Sequence, residues 1–265
     1  MSIDRSTFSI PFLNIMFNNA ANQFKTYHST WVKVSHWVGT LAFILLLFTG
    51  IEILMVHPRL YWGNTGNDLT PALFELPISR NFQHGGWEKS QSFFNQPNSP
   101  VSASRTYDIF NQNGWGRSLH FLSAWVLVII GIFYLVVALF SGHIKNQLLP
   151  KLNELTFATF SKEIKEHLRL TIVYLKGPQY GLMQKISYLM VIFFLLPTIA
   201  LTGITMSPAV TASHPYLLQL FFGAQSARTI HFFAAVLLLL FVLIHVLMIV
   251  KSGFKKQMNG MLFNK

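Results

Sequence analysis

The chain has 265 residues, of which 52% are apolar and only 11% are Asp, Glu, Lys or Arg, with a formal net charge of +11. A soluble domain carries about 25% charged residues, so a soluble enzyme and a disordered polypeptide are both excluded and an integral membrane protein remains. Basic residues in such a protein chiefly record its orientation, and without a basic stripe interleaved with stacking aromatics no nucleic-acid partner is expected.

In chain order, residues 1–30 are expected to form a cytoplasmic or interfacial segment. Their run Phe8–Phe17 is patchily apolar and broken by Asn14, too short and polar for a signal peptide. Four apolar runs then reach the roughly 20 residues needed to span a bilayer. They are Val34–Met55, Ser118–Phe140, Ile186–Met206 and Ile230–Val250. Trp31 and Trp115 read as interfacial anchors, which starts each span about one turn earlier. Between the first two spans lies a long loop rich in Gly, Pro, Asn and aromatics, of a length that marks a functional or docking segment. Between the second and third, apolar residues recur at helical spacing over Phe160–Leu175, the pattern of an amphipathic surface helix. Pro197 interrupts the third span, with Thr198 and Thr202 placed to satisfy freed backbone groups. The predicted fold is an all-α, four-helix membrane bundle over residues 31–250, followed by a basic tail, 251–265.

An even number of spans puts both termini on one side. Lys and Arg number 14 on that side and 6 on the other. The positive-inside bias therefore places both termini and the 141–185 loop in the cytoplasm and the 56–117 loop outside.

There is no cysteine, which removes disulfides, thiolate metal sites, iron–sulfur clusters and covalently attached c-type haem. Any redox centre depends on His or Met. Four of the ten histidines lie within or at the edge of spans: His36, His120, His231 and His245. Ionisable groups at membrane depth are costly and usually functional. His231 and His245 are 14 residues apart on one span, within about 40° of whole turns and about 21 Å along the axis, so both leave one face. Depth then pairs His120 with His231 on the outer side and His36 with His245 on the inner side. Two imidazoles opposed at one depth supply the axial ligands of a b-type haem. Zinc would be left with an incomplete shell.

Lys33, Arg117 and Arg228 each precede one of these histidines by three positions, on the same helical face, where they could pair with haem propionates. Gly39, Ser123 and Ala234 each follow one by three, leaving room for a flat macrocycle. His57 and His143 read as interfacial, and His28, His84, His167 and His214 lie outside the spans. Glu52, the one acidic residue in a span, is expected to snorkel or to pair with Arg59.

At these residues the sequence resembles the four-helix di-haem cytochrome b subunits that anchor periplasmic oxidoreductases, such as formate dehydrogenase gamma subunits and nickel–iron hydrogenase cytochrome b. The resemblance is carried by Ser35-His36-Trp37, Leu47-Phe48-Thr49-Gly50, Gly116-Arg117-Ser118-Leu119-His120, Leu201-Thr202-Gly203 and Arg228-Thr229-Ile230-His231 running to Ile244-His245. The branch labelled thiosulfate reductase cytochrome b is similar also at His57-Pro58-Arg59-Leu60-Tyr61-Trp62-Gly63, Gln184-Lys185-Ile186-Ser187-Tyr188 and Gln225-Ser226-Ala227. The resemblance implies two haems, exchange of electrons between membrane quinone and a periplasmic partner, often a molybdopterin oxidoreductase, and no substrate-converting site on the outer face. It further implies a quinone site near His36 and His245, where Gln184, Lys185 and Tyr188 are candidates. A haem-free membrane anchor and a small proton-coupled transporter are the alternatives.

Overall fold

In lipid every backbone N–H and C=O must be paired within its own segment, so long apolar runs become helices. The computed structural model describes residues 28–67, 70–78, 113–168 and 180–262. In chain order these contain α1 (Thr30–Val56), β1 (Arg59–Leu60), β2 (Phe74–Glu75), α2 (Asn113–Phe140), α3 (Phe157–Leu168), α4 (Leu182–Met190), α5 (Leu196–Thr205), α6 (Pro208–Ser213), α7 (Tyr216–Leu220), α8 (Ala224–Lys251) and α9 (Phe254–Leu262). Four stretches are long and apolar enough to cross a membrane: α1, α2, α4 joined to α5, and α8. The architecture is an all-α membrane bundle. Each span begins about one turn before the apolar run, as the tryptophan anchors implied. The N-terminal segment through residue 27, residues 79–112 with His84, and residues 169–179 lie outside the described residues. So do the readings made for Phe8–Phe17 and for the far half of the amphipathic run.

The interruption expected at Pro197 is a π-helical turn, Val191–Leu195, inserted between α4 and α5. Proline lacks a donor and its ring presses on the carbonyl four residues back. The wider turn resolves this by pairing the Leu196 N–H with the Val191 carbonyl.

α1 packs along α2, and α5 along α8. At one end of the bundle, which we call the hairpin end, β1 and β2 form an antiparallel ribbon with Arg59 opposite Glu75 and Leu60 opposite Phe74. The chain after β1 docks on the start of α8. The Gly63 carbonyl accepts from Gln225 and Ser226 N–H at 2.9 and 3.2 Å, and the Gly63 N–H donates to Ser226 Oγ at 2.6 Å. Thr229 Oγ1 donates to the Tyr61 carbonyl at 2.6 Å, and the Arg228 guanidinium donates to the carbonyl of His57, just past α1. The orphan donors of a helix N-terminus are thus capped by a loop far away in sequence. At the opposite, termini end, Trp37 Nε1 of α1 donates to the Met261 carbonyl of α9 at 3.2 Å.

The amphipathic run is helical through Leu168 as α3, and it straps α4. Both carboxylate oxygens of Glu163 accept from the first N–H groups of α4, Leu182 and Met183, each at 2.8 Å. An anionic acceptor at a helix N-terminus satisfies orphan donors and the macrodipole together. Glu163→Ala is therefore expected to destabilise this junction by about 1–2 kcal/mol, seen as faster proteolysis between α3 and α4. Lys185 Nζ meets Glu154 Oε2 at 2.8 Å, which holds the Glu154 carboxyl below its usual range. A depressed folded-state value means the contribution is present at neutral pH and is lost as pH falls through the carboxylate range. Glu154→Gln should flatten that acid-side loosening of the strap, measured by protease resistance against pH.

Candidate functional site: two histidine pairs between helix pairs

The histidines stand where the two helix pairs face each other. His120 of α2 opposes His231 of α8 with ring centroids 6.3 Å apart and planes tilted by 56°. His36 of α1 opposes His245 of α8 at 6.4 Å and 48°. These are the two couples that the depth argument pairs. A metal–imidazole bond of about 2.0–2.1 Å, added to the roughly 1.2 Å between a ring nitrogen and its ring centre, places two rings sharing one metal about 6.4 Å apart by centre. Both couples stand at that separation.

Among the described residues no group of three or more His, Cys, Asp or Glu gathers. Each couple therefore offers two nitrogens only, half of a zinc shell. A planar macrocycle that brings its own equatorial ligands needs only two. Between the helix pairs runs a cavity of about 3240 Å³ bordered by all four histidines, against the 300–1,000 Å³ or so of an ordinary small-molecule pocket. This volume gives room for bound groups. Donor set and space together fit b-type haem.

Arg117 and Arg228 border the cavity. Lys33 is buried, 9% exposed, and is not among the residues of the cavity wall. Of the small residues named from sequence, Gly39 lies on the wall, while Ser123 and Ala234 are buried off it. The glycines that touch the histidine rings are others. A Cβ on Gly50 would lie 3.6 Å from His120 Cε1, and one on Gly203 would lie 3.4 Å from His231 Cε1. Each of these glycines follows a threonine whose hydroxyl meets the same ring: Thr49 Oγ1 is 2.9 Å from His120 Nδ1, and Thr202 Oγ1 is 3.1 Å from His231 Nδ1. Thr-Gly near the end of one helix serving a His near the start of the next occurs twice, once in each helix pair. The repeated dipeptide in the first and third spans is the signal that sequence reasoning passed over as a contact.

At the termini end Tyr188 lies edge-on to His245 with centroids 6.2 Å apart, and Tyr180 lies edge-on to Tyr188 at 5.5 Å. Gln184 borders the cavity while its side chain accepts from the Gly181 N–H at 3.1 Å. Lys185 is engaged by Glu154. His143 rests edge-on against Trp31 and Tyr134. Burial, with His28 adding the same sign, keeps its imidazole below the ordinary range and so neutral at pH 7. His57 is exposed. Glu52 does not snorkel. It is 1% exposed and packs on Gly116, where an added Cβ would fall 1.5 Å from Oε2. A side chain at position 116 would force the Glu52 carboxylate to move.

The sequence profile described as prokaryotic cytochrome b561 matches residues 27–264. The chain belongs to that family. Cytochrome b561 membership makes it a membrane haem-b protein of electron transfer, multi-pass in the bacterial inner membrane, in line with the four spans. This cytochrome b561 chain is also 23% identical over 222 residues, covering 84% of itself and 89% of the relative, to a protein of Azospira oryzae that carries the provisional name protein-methionine-sulfoxide reductase subunit YedZ1. No solved structure matches it.

Proposed function

We propose that the chain is the electron-relay subunit of a membrane oxidoreductase and holds two b-type haems. His120 and His231 would hold one, at the hairpin end, and His36 and His245 would hold the other, at the termini end. The observation that carries this reading is the pair of ring separations, 6.3 and 6.4 Å, across a shared cavity. A bound haem supplies reversible one-electron exchange at iron. The chain's own residues hold it and keep it dry: the histidines donate, and apolar walls such as Leu46, Leu127 and Leu239 exclude water. Arg117 and Arg228 offer their charge to propionates at the hairpin end, and Lys33 stands near the other level in sequence.

The excess of basic residues at the termini end supports a cytoplasmic side there and a periplasmic hairpin end. The catalytic partner docks at the hairpin end, and a molybdopterin oxidoreductase is the class we favour. A name of reductase subunit on the Azospira relative supports an oxidoreductase partner. Membrane quinone exchanges electrons at the termini end, where Tyr188 touches His245 and Gln184 borders the cavity. The test is haem quantification with a reduced-minus-oxidised spectrum of the purified protein. Two haems per chain with b-type bands are expected, whereas a spectrum without such bands would leave a membrane anchor.

A further inference from the structure

The two histidine couples are not held alike. Thr49 Oγ1 sits 2.7 Å from the Leu45 carbonyl, and Thr202 Oγ1 sits 2.7 Å from the Thr198 carbonyl. A hydroxyl has one proton, and a carbonyl can only accept. Each threonine therefore spends its proton on its own helix and turns a lone pair to the histidine. The nitrogen facing it, Nδ1 of His120 and of His231, must then carry the ring proton. Both rings are thereby left with Nε2 as the free lone pair. Gly50 and Gly203, beside Cε1 of each ring, let the rings lie against the neighbouring helix in that pose. At the other couple, the Nδ1 of His36 is buried and has no hydrogen-bond partner among the described residues.

We propose that Thr49 and Thr202 are matched positioning residues. They fix the Nδ1–H tautomer of His120 and His231 and set the centre at that level to a lower reduction potential than the centre at His36 and His245. An imidazole whose N–H is loaded by an acceptor is a more basic ligand, and a more basic ligand favours the oxidised metal. The asymmetry in hydrogen bonding thus becomes an asymmetry in potential across the bundle. This inference rests on the two-haem reading above.

The experiment is redox titration with low-spin EPR on the wild type and on T49V, T202V, the double variant, T49S and T202S. The titration is repeated in an H245A background, which isolates the hairpin-end centre. His120 and His231 remain in every variant, so haem loading should persist. The lower potential is expected to rise in each valine variant and further in the double variant, with its EPR g-values shifted. Serine should restore both, and the upper potential should stay in place. An unchanged lower potential in the double variant overturns the proposal, as does an equal shift of both centres. Loss of haem from the double variant with unmoved potentials in the single ones overturns it too. A wild type without two haems would instead sink the reading beneath it.

Discussion

Alanine at His231 is expected to leave one haem per chain instead of two, halving the b-type absorbance while the helices still insert. The ring stands 6.3 Å from its His120 partner, and each couple supplies two donors with no third His, Cys, Asp or Glu among the described residues to substitute. Removing either donor leaves one histidine at that level of an apolar cavity. His120→Ala should therefore remove the same haem as His231→Ala, and the double variant should lose no more than either single. His36→Ala and His245→Ala should remove the other haem, with its own spectrum and potential. His231→Ala combined with His245→Ala, on one helix, should remove both. Haem content and spectra of the purified variants check this pattern of additivity and non-additivity. Retention of two haems in His245→Ala would break the pairing.

Gly223→Ala should be among the most damaging single substitutions outside the histidines. Gly223 precedes α8 with φ of +114°, a region that L side chains rarely occupy. A Cβ there would lie 2.4 Å from both C and O of Gly63, a backbone carbonyl already committed to the Gln225 and Ser226 N–H groups. Neither side can yield without breaking the cap. Backbone strain and overpacking of this kind cost about 2–4 kcal/mol together. The loss should appear as a lower thermal midpoint and as protease access to residues 57–67. Because Arg228 and His231 sit in the first two turns of α8, the hairpin-end haem should loosen before the termini-end one. Equal loss of both haems, or none with full thermal stability, would contradict this.

Much of the bundle was legible before any coordinates. Spans, their starts near Trp31 and Trp115, and the break at Pro197 follow from length and composition. What sequence reading missed lies at contacts between elements. Glu52 was expected to snorkel or to pair with Arg59, and the buried seat that Gly116 gives it was not foreseen. The ion pair of Lys185, a quinone-site candidate, with Glu154 was not foreseen. Gly39, Ser123 and Ala234 were chosen by offset from the histidines on the same helix, whereas the touching glycines, Gly50 and Gly203, come from the neighbouring one.

Sequence alone determined the axial coordinate of each residue, because a helix converts residue number into depth at a fixed rise. That is why His120 could be paired with His231, and His36 with His245, from numbering and topology. Only the tertiary structure decided the rotational and lateral coordinates: that Thr49 and Thr202 meet the hairpin-end rings, that Gly63 caps α8, and that Glu163 caps α4. A helix that faces lipid is apolar nearly all round, so its pattern does not declare which side looks inward. The approach of small and polar residues from the next helix settles it.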